Sequence, residues 1–374
     1  MPEWFDTTLG EFVSLQRGHD LPSGQRLPGN IPVVGSGGIT GWHNESRAPG
    51  PGISIGRAAN LGVPTLTEKD FWPLNTTLYV TDFRGNNVRF TYHLFQVLDL
   101  AGFNSGSVQP MLNRNYISSF PIKVPERPEQ DAIATLLGAL DDKIDVNRRI
   151  AATYEQLLHC KYTAMGLSGE PDDEHAIPVT ALITFNPKLT KPSADEPVYV
   201  DMAALQTDQA SIPTWTRRAP KSGPRFMNGD TLLARITPCL ENGKTGYVDF
   251  MEDGEVGLGS TEFIVMRSRS GVPKELSYFL ARDARFRAHA IRNMIGTSGR
   301  QRVSATDAAN YFVKRPEAEA LAVFGEEAAT AFAHVKSLQS ENRLLGTLRD
   351  TLLPQLMSGR LRVKDAEKIV EDHA

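Results

Sequence analysis

Several spacings in this 374-residue chain come close to a chemistry of their own, and each lacks a residue that the chemistry requires. Asn242-Gly243-Lys244-Thr245 ends like a glycine-rich loop that cradles phosphates, but the first glycine of such a loop would fall at Pro238. Phe185-Asn186-Pro187-Lys188 begins like an Asn-Pro-Pro-aromatic methyltransferase site, yet it has neither the second proline nor the ring that would stack on a flipped base. His19, His43, His93, His159 and His175 are scattered, with no His-Glu-x-x-His pair, so no metal is expected. Cys160 and Cys239 are the only cysteines, which excludes a disulfide framework and a thiolate zinc site and leaves buried or inert thiols. A nuclease centre needs only dispersed carboxylates and a lysine, and leaves no motif to test. What remains is cationic and hydrogen-bonding chemistry. Arg282, Arg285, Arg287, Arg292, Arg300 and Arg302 face only Asp283 in their stretch, and Arg217, Arg218, Lys221 and Arg225 form a second basic run. On a helix expected from Leu276 to Ile295, Arg282, Arg285, His289 and Arg292 share one face, either a salt-bridged surface or a phosphate track, while Arg287 falls among apolar positions.

These groups sit in an ordinary globular composition. Forty Lys and Arg stand against 44 Asp and Glu, so the whole chain is no electrostatic nucleic-acid binder and any positive surface must be local. Hydrophobic content of 40% and charged content of 22% are those of a soluble protein. The length exceeds the roughly 100–200 residues of a single domain, so two domains are expected. No apolar stretch approaches the ~18 residues that cross a bilayer. Met1-Pro2-Glu3-Trp4-Phe5-Asp6 has neither the basic nor the apolar region of a leader, and a cytoplasmic location without membrane contact is expected.

The order of elements repeats. The first half runs through a strand Ile53-Ser54-Ile55-Gly56-Arg57, a strand Thr76 to Val80, a helix Tyr92 to Phe103, Ser105-Gly106 with Gln109, and Pro125. The second runs through Leu232-Leu233-Ala234-Arg235, Ser260 to Val265, a helix Tyr278 to Ile295, Ser298-Gly299 with Gln301, and Pro316. Short strands bounded by Gly, Pro and Asn predict a strand-rich α+β unit in each half. After each half comes a heptad seam. Ile133, Leu137, Leu140, Ile144, Asn147, Ala151, Tyr154 and Leu158 alternate four and three over more than three heptads. Ala331, Val335, Leu338, Asn342, Leu345 and Leu352 repeat the pattern, and Tyr154-Glu155-Gln156-Leu157-Leu158 faces Arg349-Asp350-Thr351-Leu352-Leu353. One asparagine in each seam, Asn147 and Asn342, fixes register at some cost in stability. The expected fold is therefore α+β: two similar globular domains (1–125 and 169–316) separated by two long helices (126–168 and 317–361) in an antiparallel coiled coil, with a C-terminal tail (362–374).

The run Pro32-Val33-Val34-Gly35-Ser36-Gly37-Gly38-Ile39-Thr40-Gly41-Trp42-His43-Asn44, with Gly50 to Arg57 and Phe71-Trp72-Pro73-Leu74-Asn75, resembles the target recognition domain of specificity (S) subunits of type I restriction-modification enzymes. Gly229 to Lys244 with Gly259 to Val265 resembles a recurrent pattern of the same family, and Ile122-Lys123-Val124-Pro125 through Glu129-Gln130 to Lys143-Ile144 resembles its first helical region. Arg315-Pro316-Glu317-Ala318-Glu319-Ala320 departs from the Pro-Glu-Gln pattern of that first linker. The resemblance implies a non-catalytic subunit that recognises double-stranded DNA, one half of a bipartite site per domain. It implies two methyltransferase subunits carrying the S-adenosylmethionine chemistry, no cofactor on this chain, and leaves open a restriction (motor-nuclease) subunit. The reading from another class is a coiled-coil scaffold or adaptor that touches DNA little. Arg to guanine and Asn or Gln to adenine read base edges, while Lys, Arg and Ser hold phosphates. Candidates in the first domain are Ser36, Arg57, Arg84, Asn86, Asn87, Arg89 and Gln109. Those in the second are Arg235, Asn242, Lys244, Arg300, Gln301 and Arg302.

Overall fold

The computed structural model describes residues 3–100, 102, 111–219, 222–297 and 299–372. The chain divides into two compact units, Met1–Asp145 with Asn342–Ala374, and Val146–Glu341.

In the first unit, Trp4–Thr8 pairs antiparallel with Pro121–Pro125. A four-stranded antiparallel sheet runs in the order Ser14–Arg17, Thr77–Asp82, Gly52–Gly56, Pro64–Thr67. Gly52–Gly56 is buried throughout, as an inner strand covered on both faces must be. A smaller sheet pairs Ile31–Gly35 with Gly38–His43 antiparallel and with Trp72–Pro73 parallel. The helix expected from Tyr92 to Phe103 instead spans Val88–Val97. It starts earlier because Asn87 caps it, its Oδ1 accepting from the Phe90 N–H at 2.9 Å. Phe90, Leu94 and Phe95 then enter the core beside Ile53, Ile55 and Leu78.

The second unit repeats this topology. Ala176–Pro178 pairs with Phe312–Lys314, and a four-stranded antiparallel sheet is ordered Ile183–Phe185, Phe263–Ser268, Asp230–Ala234, Thr245–Tyr247. Counted along the chain, both four-stranded sheets have the order first, fourth, second, third. Val198–Val200 pairs antiparallel with Thr216–Arg217 and parallel with Gly257–Gly259, as in the smaller sheet of the first unit, and Arg225–Phe226 is added at its edge. The single helix expected from Tyr278 to Ile295 is two, Leu276–Arg282 and Ala284–Arg292. Asp283 separates them, its carboxylate accepting from the Arg285 and Phe286 N–H groups at 2.9 Å each as the N-cap of the second. Arg282 therefore lies on a different helix from Arg285, His289 and Arg292, and the expected common face does not form. Arg287, without a role in the sequence reading, lies over Gly243, whose φ of +74° and lack of a side chain admit the guanidinium.

Two long helices follow, Arg127–Ala164 with 38 residues and Ala318–Met357 with 40. In the first unit Ile133, Leu137 and Leu140 share a core with Leu348, Leu352 and Leu356, and Asp141 pairs with Arg349 at 2.8 Å. In the second unit Leu158 shares a core with Ala331 and Phe332. There Asn147 meets Glu341, Tyr154 meets His334, and Lys161 meets Glu327, at 2.8, 3.2 and 2.8 Å. Contacts that rise by heptads on one helix and fall by heptads on the other are those of an antiparallel pair. One detail differs from expectation: Tyr154 and Arg349, in the two segments expected to face each other, meet His334 and Asp141. The stretch expected as a tail carries a helix, Val363–Glu371, that buries Val363 and Ala366 in the first unit's core. Cys160 is exposed on the first long helix and Cys239 is half-buried, so burial does not describe the thiols. Among the described residues no helix is long and apolar enough to cross a membrane.

Candidate nucleic-acid interface

In the first unit the glycine-rich turn 35–38 joins the two strands of the smaller sheet, and Ser36 sits there half-buried. Arg57 follows directly on the inner strand Gly52–Gly56. Its N–H donates to the Thr76 carbonyl at 2.8 Å, its carbonyl accepts from Leu112 at 2.9 Å, and its Nη1 reaches the Asn75 carbonyl at 3.4 Å. Burial and the charge of Arg17 both hold the Arg57 guanidinium below its ordinary pKa. Arg17 was not among the sequence candidates. It ends the edge strand, and only the fold brings it to Arg57.

The segment from Arg84 to Arg89 is different. Arg84 turns its guanidinium back to Ser14 and to the Glu11 carbonyl. Asn86 donates to the Phe12 and Phe83 carbonyls at 2.9 and 3.0 Å and accepts from Gln130 at 2.9 Å. Asn87 caps its helix and donates to Asp131 at 2.6 Å. Arg89 pairs with Asp142 at 2.8 Å and Glu68 at 2.9 Å, and hydrogen bonds from these acids raise its pKa against desolvation. These side chains fasten the first long helix and its neighbours to the sheet. Gln109 lies outside the described residues.

In the second unit Arg235 holds the place of Arg57: its N–H donates to the Glu262 carbonyl at 3.0 Å and its carbonyl accepts from Val303 at 3.0 Å. It borders a cleft of about 640 Å³ together with Asn186, Lys188, Arg225, Thr261 and Phe263. Lys188 was passed over because Asn186-Pro187 drew attention only as a broken methyltransferase motif, whereas Arg225 stood out in a basic run. Other members of that run are engaged: Arg217 with Glu255 at 2.7 Å, and Arg218 over the Tyr199 ring at 3.7 Å. Lys221 is outside the described residues.

Lys244 donates to the Met202 carbonyl at 3.0 Å, and Asn242 is exposed in the turn before it. The loop 295–302 is closed by paired main-chain hydrogen bonds between Ile295 and Arg302, 2.9 Å each way. Within it Arg302 grips Glu262 through Nε and Nη2 at 2.9 and 2.7 Å. Gln301 is half-buried and its main chain pairs with Thr237, while Arg300 is exposed. Of the helical cations, Arg282 and Arg285 donate to the Thr207 and Gly169 carbonyls, and His289 contacts the Asp307 carbonyl at 2.9 Å. Ser298 is outside the described residues.

Residues 1–156 match the family model of the type I restriction modification DNA specificity domain. The type I restriction enzyme EcoEI specificity subunit of Escherichia coli is 27% identical over 221 residues, 54% of this chain and 35% of that protein. The EcoAI specificity subunit of Escherichia coli is 27% identical over 140 residues, 36% of this chain and 23% of that protein. The matched stretches thus span about a third or less of these relatives. The crystal structure of a type I restriction-modification S subunit from M. genitalium superposes with a TM-score of 0.56 at 16% identity, over 95% of this chain and 96% of that one. The chain therefore has the S-subunit fold over nearly its whole length, and the S-subunit resemblance read from the sequence holds.

Proposed function

We propose that this chain is the specificity subunit of a type I restriction-modification assembly, each of its domains (1–125 and 169–316) reading one half of a split, asymmetric DNA site. The long helices (126–168 and 317–361) pair antiparallel as a coiled coil and set the gap between the half-sites, with Asn147 and Asn342 in the seam. The carrying observation is the duplicated topology: two units with one strand order, one placement of Arg57 and Arg235, and dissimilar loops around them. Equivalent frames with different loops suit two unlike half-sites. The chain supplies recognition and makes or breaks no bond. Two methyltransferase subunits supply S-adenosylmethionine chemistry, a restriction subunit joins where cleavage is required, and the assembly works in the cytoplasm. Ser36, Arg57, Gln109, Arg235, Asn242, Arg300 and Gln301 remain the DNA-facing candidates. Arg84, Asn86, Asn87, Arg89, Lys244 and Arg302, with their donors already engaged, serve DNA only through the frame they hold.

Inserting one helical turn, about 5.4 Å, into both long helices should lengthen the gap in the modified site by one or two base pairs, at about 3.4 Å per step. Single-molecule sequencing of host DNA reads the outcome. A spacer that stays the same rejects the ruler, and a host without any bipartite modified motif rejects the function.

A further inference from the structure

In each unit the arginine that follows the inner strand shares its surroundings with a second cation. For Arg57 it is Arg17, last residue of the edge strand Ser14–Arg17, which pairs with Leu78 from one side while Ile55, two residues before Arg57, pairs with Leu78 from the other. For Arg235 it is Lys188, just past the edge strand Ile183–Phe185, on the wall of the same cleft. A third cation, Arg225, borders that cleft and is held by donating to the Leu189 carbonyl at 2.5 Å. Among the described residues lining it there is no carboxylate. Glu262 lies near, its pKa lowered by hydrogen bonds from Arg302 and in smaller part by the charge of Arg235, but its carboxylate is held by Arg302. The Nε of Arg235 is buried and has no hydrogen-bond partner among the described residues.

Like charges held together and a desolvated donor without an acceptor both work against folding. An anion with several oxygens relieves both at once. A phosphodiester presents two oxygens to a guanidinium fork and a full negative charge to the neighbouring cation. A guanine edge would satisfy the fork and leave the cations repelling. We propose that each unit carries a phosphate seat, Arg57 with Arg17 in the first and Arg235 with Lys188 in the second, that grips the DNA backbone and sets the register of the reading loops. The seat reads no base. This rests on the DNA-specificity reading above and sharpens it, assigning these arginines to the backbone rather than to sequence.

Two measurements on the full chain test it: thermal unfolding with and without inorganic phosphate, and titration of site-bearing and scrambled duplexes at two salt concentrations. Phosphate should raise the melting temperature of the wild type, less so in Arg57→Gln or Arg235→Gln, and not at all in the double variant. Arg235→Gln should weaken both duplexes alike, by about tenfold, and make log K against log salt shallower by about 0.9, whereas Arg235→Lys should keep the slope. Should Arg235→Gln fail to fold, the exposed Lys188→Gln carries the same readouts. A loss confined to one base position, with scrambled binding and slope unchanged, makes Arg235 a base reader and overturns the seat. An equal phosphate response in wild type and double variant overturns it as well. If the wild type binds neither duplex, the proposed function falls and the phosphate response alone decides the seat.

Discussion

Two donor-rich segments, Arg84 to Arg89 in the first unit and Arg300 to Arg302 in the second, look alike in sequence and differ in what surrounds them. Around Asn86 and Asn87 the fold places Gln130, Asp131 and main-chain carbonyls, so every donor has an acceptor within its own unit. Around Arg300 it places solvent, and two residues later Arg302 is again engaged, by Glu262. Donor density therefore marks two opposite things. A group whose partners are already present holds the frame, and a group left facing solvent is available to a ligand. The comparison predicts that variants in the first segment change stability and not specificity, and that Arg300 does the reverse.

The largest expected effect is at Gln130. It is 2% exposed, donates to Asn86 and to the Pro125 carbonyl at 2.9 and 3.0 Å, and accepts from the Asn87 N–H at 3.0 Å. Gln130→Ala should orphan these groups and cost on the order of 3 kcal/mol in chemical denaturation, with the ratio of site-bearing to scrambled binding unchanged. A changed ratio would break the division between frame and reader. Next comes Arg300→Ala, expected to relax one position of one half-site by about 1–3 kcal/mol while leaving the melting curve in place. Uniform weakening across all positions would instead make it a phosphate contact. Asn87→Ala should remove a helix cap and cost about 1–2 kcal/mol of stability. The sequence of the modified site should not move.

The duplication was legible because short motifs carry it: a strand ending in arginine, then a second strand, a helix and a loop, twice in one order. The heptads were legible because burial by sevens leaves a mark in residue type, and Ile133, Leu137, Leu140 and Ile144 are indeed buried. Local boundaries were less so. Asn87 and Asp283 are both capping residues, but Asn87 stands five residues ahead of the expected start at Tyr92 and Asp283 stands inside the expected helix, and whether such a residue caps or continues a helix depends on packing beyond its neighbours. The site was hardest to read. Arg302 and Glu262 are 40 residues apart, Asn87 and Asp131 44, and Lys244 and Met202 42. No local pattern announces that such a donor already has its acceptor. Arg17 and Lys188 were missed for the converse reason, since each lies on an edge strand or its turn, and closeness to Arg57 or Arg235 is a property of the sheet.

The smallest effect tests the comparison inside a single loop. Hydrogen bonds from Arg302 hold the Glu262 carboxyl below its ordinary value of 4.5, against a desolvation that raises it, with the charges of Arg302 and Arg235 adding to the lowering. A carboxylate whose folded pKa is depressed contributes stability that is fully present above its unfolded value and is lost as pH falls through the folded one. Removing Arg302 removes most of that depression, whereas removing Arg300 does not touch it. Buried acids elsewhere in the unit, Glu155 and Glu275 among them, are shifted upward by burial and shape the pH curve of any single protein, so the difference between variants is the useful quantity. The melting-temperature gap between wild type and Arg302→Ala should be constant from neutral pH down to the ordinary carboxylate range and close below it, and should shrink in high salt because the pair is partly exposed. Arg300→Ala should show no gap at any pH. A gap for Arg302 that persists in acid would mean that its contribution is packing rather than the ion pair, and a pH-dependent gap for Arg300 would mean that it too belongs to the frame.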